Sequence, residues 1–116
     1  MRRNKDRELL ERIIDYCSKI ESVKRDQFSS RDLFEKNELV RDALSFYVFQ
    51  IGELSGGISE ELREVNQDIP WRNIKGIRNI IAHAYEDVDH TVLWEVVTED
   101  IPVLKQKCTD ILLELP

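Results

Sequence analysis

Apolar side chains recur at three- and four-residue steps through most of this sequence, and no segment keeps the alternation that a half-buried strand requires. Leu9, Ile13, Tyr16, Ile20 and Val23 form one such stripe, which predicts a helix from about Asp6 to Lys24. A polar stretch follows, in which Ser29 and Asp32 have the spacing to cap a short turn. Asn37 is then the expected N-cap of a second long helix carrying Val40, Leu44, Tyr47, Ile51 and Leu54. Ala43, Phe46, Val48 and Phe49 make that helix apolar on most sides, which assigns it to the centre of a bundle. Gly52 in its last turns implies a close neighbour, since Gly there costs roughly 1 kcal/mol against Ala.

Gly56-Gly57 closes this helix, and Ser59-Glu60-Glu61 opens a short one with its acids in the first turn, where they oppose the helix dipole. Pro70 stands where a further helix begins, a position at which its missing N–H does no harm. Asp89 is the expected N-cap of the last helix, whose stripe runs Leu93, Val97, Ile101, Leu104, Cys108, Ile111 and Leu115, and Pro102 should kink or divide it. The fold class is therefore all-α, an up-and-down helical bundle of four to five helices in a single domain over residues 1–116. Such a chain buries a core without a covalent staple. Cys17 and Cys108 both fall in apolar stripes near opposite ends, where free thiols act as small hydrophobes.

A formal charge of −6 excludes a non-specific nucleic-acid coat, which draws its binding energy from many cation–phosphate contacts. The basic N-terminus leads into an amphipathic pattern rather than an apolar core, and no segment is long enough to span a bilayer, so the chain is expected in the cytoplasm with no membrane partner. One stretch departs from the acidic average. From Ile69 to Tyr85 there is no Asp or Glu, while Arg72, Lys75 and Arg78 are present beside Asn79, His83 and Tyr85. Guanidinium, amide, imidazole and phenol within eight residues are the groups that metal-free chemistry at a phosphate needs.

On a helical wheel, Ile74, Ile77, Ile81 and Ala84 form the core-facing stripe of this segment, and Arg72, Gly76, Asn79 and His83 lie on the far side. A lone helical histidine is most often a core or an ordinary surface residue. Here the core reading weakens, because His83 lies nearly opposite the apolar stripe, and Gly76 on the same polar stripe suggests a close approach by a second copy or an RNA strand. Arg78 lies about 140° from His83 in an ideal helix. A twofold pairing of protomers along this face would nevertheless bring an Arg and a His from each into one cleft. The acidic run from Glu86 to Asp89 is expected to end the helix near Ala84, leaving Tyr85 at the cleft's edge.

At these residues the sequence resembles the HepT family of HEPN-domain proteins, the toxin half of HEPN–minimal nucleotidyltransferase toxin–antitoxin pairs. The family's Arg, four residues, His, one residue, Tyr is met by Arg78, His83 and Tyr85, with the common Asn at Asn79. Arg41-Asp42-Ala43, Ile51-Gly52-Glu53, Ile69-Pro70-Trp71, Gly76-Ile77-Arg78-Asn79 and Leu93-Trp94 extend the resemblance over nearly the whole chain. It implies a HEPN bundle that dimerises with the signature at the interface and acts as a metal-independent endoribonuclease on RNA, with Arg78 and His83 as catalytic residues and no cofactor. It also implies a cognate nucleotidyltransferase antitoxin that attaches AMP to Tyr85, and a homodimer that can enter a larger hetero-oligomer with it.

The chemistry is physically consistent. RNA supplies its own nucleophile, the 2′-OH, so the protein needs a base, an acid for the leaving 5′-oxygen and positive charge for the transition state. One His83 of a dimer would be base and the other acid, each step worth roughly 10²- to 10⁴-fold. Arg78 suits bidentate contact with phosphate oxygens, Asn79 could bond the phosphate or orient the imidazole, and Arg72 and Lys75 are candidate RNA-phosphate contacts. An adenylyl group on Tyr85 would fill the cleft and repel RNA. Glu53 is a candidate partner for Arg78. No metal is expected, because His83 and His90 are seven residues apart and the cysteines lack paired spacing. His90 reads as solvated or structural, and Trp71 and Trp94 as core anchors. The competing reading is a non-catalytic module that uses the same cleft to bind a nucleotide or to dock the antitoxin.

Overall fold

The computed structural model describes residues 2–69, with side chains from Lys5 onward, together with 71, 74 and 90–115. Among these residues every regular element is helical and there is no strand, as the periodicity requires. The first helix, α1, spans Arg2–Gln27, and α2 spans Arg31–Lys36. The short helix is capped one residue later than the expected Ser29. Ser30 has the extended backbone of an N-cap and its side chain accepts from Leu33 N–H, so the cap belongs to Ser30. The α3 helix, Glu38–Ser55, begins where expected, with the Asn37 side chain accepting from Val40 N–H at 3.1 Å.

Arg41, within one of the motifs noted above, donates from Nη1 to the carbonyls of Phe34 and Glu35 and so closes the end of α2. Arg63 does the same for α3. It lies on α4, Glu60–Val65, and its Nη2 donates to the carbonyls of Ser55 and Gly56 at 3.3 and 2.8 Å. Ser59 caps α4 as expected, accepting from Leu62 N–H. Nothing local to Ser59 signals that it is itself held by the carboxylate of Asp6, a residue only 4 % exposed. That carboxylate accepts from Ser59 N–H at 2.9 Å and from its hydroxyl at 2.5 Å, tying α1 to α4 across 53 residues.

Pro102 has a specific structural consequence. The helix after His90 starts as α5, Thr91–Glu95, widens to a π segment over Val96–Asp100, and resumes as α6, Ile101–Glu114, with Pro102 in its first turn. Ile101 N–H reaches back to Val96 O, five residues away. Proline removes an N–H from the following turn, and the wider turn accommodates that loss without ending the helical path. The expected cap Asp89 lies outside the described residues; the cap position falls on His90, whose side chain makes no capping bond.

The core is one cluster in which Leu10, Ile13, Cys17 and Ile20 of α1 are fully buried, together with Leu44 of α3 and Cys108 of α6. Among the described elements, α1 packs against both α3 and α6 and so occupies the middle, the place expected for α3. The reason is visible on α3 itself, where Leu39 is 80 % and Phe46 52 % exposed. Gly57 allows the chain to pass close to α1, since a Cβ there would lie 3.1 Å from Leu9 Cδ1. Gly52 of α3 is buried. Across α1 and α6, Lys105 Nζ meets Glu21 Oε1 at 2.7 Å and Arg7 donates to Leu115 O at 3.1 Å.

Asp6→Ala should lower stability by about 2–3 kcal/mol, as expected for a buried charge-assisted pair of bonds, whereas Glu21→Ala should cost less than about 1 kcal/mol. Urea denaturation separates the two. Both cysteines are free and buried, and burial pushes each thiol from the ordinary 9.0 up to about 12, with Cys108 and Glu21 adding to the rise at Cys17. Above pH 9 the unfolded chain releases these protons while the folded chain keeps them, so unfolding is favoured as pH rises from about 9 to about 12. Chemical denaturation across that range should show a decline that is shallower in Cys17→Ala relative to its own value at neutral pH.

Candidate functional site

The segment singled out by its chemistry runs from Ile69 to Tyr85, and described residues anchor the chain at its entry and again just beyond it, from His90 onward. At the entry, Asn66 Nδ2 donates to Leu62 O at 3.0 Å and so fixes the residue that follows α4. Its carbonyl then accepts from Ile69 N–H at 3.2 Å and from the Trp71 indole N–H at 3.1 Å. Lys107 of α6 reaches this turn as well, donating from Nζ to Asp68 O at 2.9 Å and meeting its carboxylate at 3.1 Å. Ile69, Trp71 and Ile74 are all buried, which makes Trp71 the core anchor expected of it.

At the exit, Arg31 Nη2 donates to Thr91 Oγ1 at 2.6 Å, linking the first residue of α2 to the first residue of α5. Trp94, one turn later, packs its ring against Phe28 and Phe34 with centroids 5.7 and 5.2 Å away, and the two phenylalanines lie 5.4 Å apart. Tilted rings at these separations gain from edge-to-face attraction beyond the area they bury. Both exit anchors therefore come from residues 28–34. Sequence reading identified Trp94 as an anchor but missed the Arg31–Thr91 bond, for which partners 60 residues apart leave no local signal.

Arg72, Lys75, Arg78, Asn79, His83 and Tyr85 lie outside the described residues, as does the expected pairing of Glu53 with Arg78. His90 is half-buried at the start of α5. Two open hollows are formed by described residues. One of about 350 Å³ is lined by Lys5, Asp6, Gly57, Ser59 and Glu60, and its central carboxylate is already engaged by Ser59. The other, of about 120 Å³, brings Asp68, Asp110 and Glu114 around Lys107. Neither lining combines an imidazole with a guanidinium. Among the described residues no group of three or more His, Cys, Asp or Glu is placed to hold a metal ion, and no helix is long and apolar enough to cross a membrane.

Residues 10–111 match the family described as Ribonuclease HepT-like. The chain belongs to this family. The match takes in both anchored ends and the Arg78–His83–Tyr85 signature between them. The chain is 32 % identical over 107 residues to a protein of Caldanaerobacter subterraneus subsp. tengcongensis named "Putative RNase", covering 91 % of this chain and 93 % of that one. It is 36 % identical over 74 residues to a "Putative RNase" of Methanocaldococcus jannaschii, covering 64 % and 68 %. It is 46 % identical over 57 residues to the "Probable ribonuclease HepT" of Thermococcus cleftensis, covering 49 % and 52 %. No solved structure gives a significant match.

For a HepT-like chain, the entry anchor has a measurable consequence. Trp71→Phe keeps most of the buried ring but removes the donor to Asn66 O, and should cost about 1 kcal/mol in urea denaturation.

Proposed function

We propose that this chain is a metal-independent endoribonuclease, the toxin component of a HEPN–minimal nucleotidyltransferase toxin–antitoxin pair, with a composite site at a homodimer interface. The carrying observation is the complete signature Arg78, Asn79, His83 and Tyr85 in a stretch free of acids, within a chain of the HepT-like family. Burial of Trp71 and Ile74 supports the register read from the sequence, in which Ile74 begins the apolar stripe and His83 falls on the opposite side. The exposed Leu39 and Phe46 of α3 offer apolar surface of the kind a second copy covers.

In this reading the RNA 2′-oxygen loses its proton to one His83 and attacks the adjacent phosphorus. The second His83 of the dimer protonates the departing 5′-oxygen, leaving a 2′,3′-cyclic phosphate. Arg78 contacts the non-bridging oxygens and stabilises the charge that grows on them, and Asn79 orients the phosphate or the imidazole. Arg72 and Lys75 contact neighbouring phosphates and contribute a salt-dependent share of binding. The partner antitoxin neutralises the site by transferring AMP from ATP to the Tyr85 hydroxyl: the phenol oxygen, losing its proton, bonds the α-phosphorus as pyrophosphate leaves, which places bulk and negative charge where RNA must enter.

Purified protein, shown by intact mass to be unmodified at Tyr85, should cleave total cellular RNA in EDTA and leave cyclic phosphate ends. Arg78→Ala and His83→Ala should lower cleavage by at least about 10²-fold while remaining dimeric. Absence of cleavage by well-folded, unmodified wild-type dimer would overturn the ribonuclease reading in favour of a nucleotide-binding or antitoxin-docking module.

A further inference from the structure

We propose that Arg31 is a positioning residue for the signature segment and acts through Thr91, an inference that rests on the ribonuclease reading of Arg78 and His83. The first turn of α5 begins six residues after Tyr85, and His90 at its cap position supplies no side-chain bond. Helix starts leave several N–H groups without partners inside the helix, so a start without a side-chain cap is free to fray or slip by a residue. One restraint on this start comes from α2. Arg31 donates to Thr91 Oγ1 at 2.6 Å, and its Nε meets Glu35 Oε1 at 3.4 Å, which aims the guanidinium from its own helix.

Three residues on, Trp94 N–H bonds His90 O at 3.0 Å while its ring is held by Phe28 and Phe34. Thr91 and Trp94 share one face of α5, so residues 28–34 grip that face at a polar and an apolar point. Thr91 stands six residues after Tyr85 and eight after His83, a short path for an error of register. A slip of one residue displaces a helix by about 1.5 Å and turns it by about 100°. A misplacement of about 1 Å at a catalytic group can cost as much as about 10² in rate. An exposed bond of this kind adds little to folding stability. Its loss is therefore read in turnover and in local exchange rather than in melting.

The test compares Arg31→Met, Thr91→Val, their double variant and Arg31→Lys with wild type and His83→Ala, in RNA cleavage and in amide hydrogen exchange at Trp94. Each of Arg31→Met and Thr91→Val should lower kcat about tenfold with KM and Tm unchanged, and the double variant should be no worse than either. Arg31→Lys should recover part of the loss, and the Trp94 amide should exchange faster in both single variants. An unchanged kcat in Thr91→Val, or a rise in KM confined to Arg31→Met, would overturn the proposal, the latter by making Arg31 an RNA contact. If wild type cleaves no RNA, the ribonuclease reading falls separately. An unchanged Trp94 exchange rate would overturn the Arg31–Thr91 restraint in either case.

Discussion

Burial of α1 between α3 and α6 is the constraint from which the remaining arrangement follows. Leu10, Ile13 and Ile20 are completely enclosed beside Cys17, and each of these aliphatic side chains contributes roughly 1.5–3 kcal/mol relative to exposure. Because apolar residues occupy two flanks of α1, one helix serves two partners. Its Asp6 then determines where α4 begins by holding both polar groups of Ser59. The end of α4 delivers the chain to Asn66, and Asn66 receives the indole of Trp71. A line of contacts thus runs from the buried core to the residue that opens the chemically distinctive segment.

That segment contrasts with the scaffold in composition. The scaffold residues anchoring it are aromatic, aliphatic or paired in hydrogen bonds, whereas the stretch from Ile69 to Tyr85 concentrates basic and hydrogen-bonding residues with no Asp or Glu among them, in a chain of net charge −6. On the proposed ribonuclease reading, net repulsion from the rest of the protein would discourage RNA from settling elsewhere, and the cations of this stretch would draw it there. The family match includes this stretch, whose charge contrast sets it apart within the chain.

Much of the helical scaffold was legible in the sequence because it depends on local rules. Asn37 and Ser59 cap the helices they were expected to cap, since an N-cap needs only a short polar side chain beside an apolar repeat. Ser29 lost its expected role to Ser30 because adjacent serines offer the same chemistry one residue apart. Pro102 was recognised as a disturbance, but sequence alone could not distinguish a kink from a π turn that preserves the helical path. The Asp6–Ser59 and Arg31–Thr91 bonds were not legible, as each joins ordinary polar residues more than fifty positions apart. The signature was legible through spacing and residue type, and its catalytic assignment rests on that spacing together with the family match.

The proposed site is a cleft built jointly by two protomers, in which both His83 side chains take part. Mixing wild type with His83→Ala in varied ratios, unfolding and refolding the mixture so that subunits redistribute, and measuring RNA cleavage tests this directly. If one imidazole from each protomer is required, mixed dimers are inactive and activity falls as the square of the wild-type fraction. Activity falling in direct proportion to that fraction would rule out the shared cleft and assign an independent site to each chain.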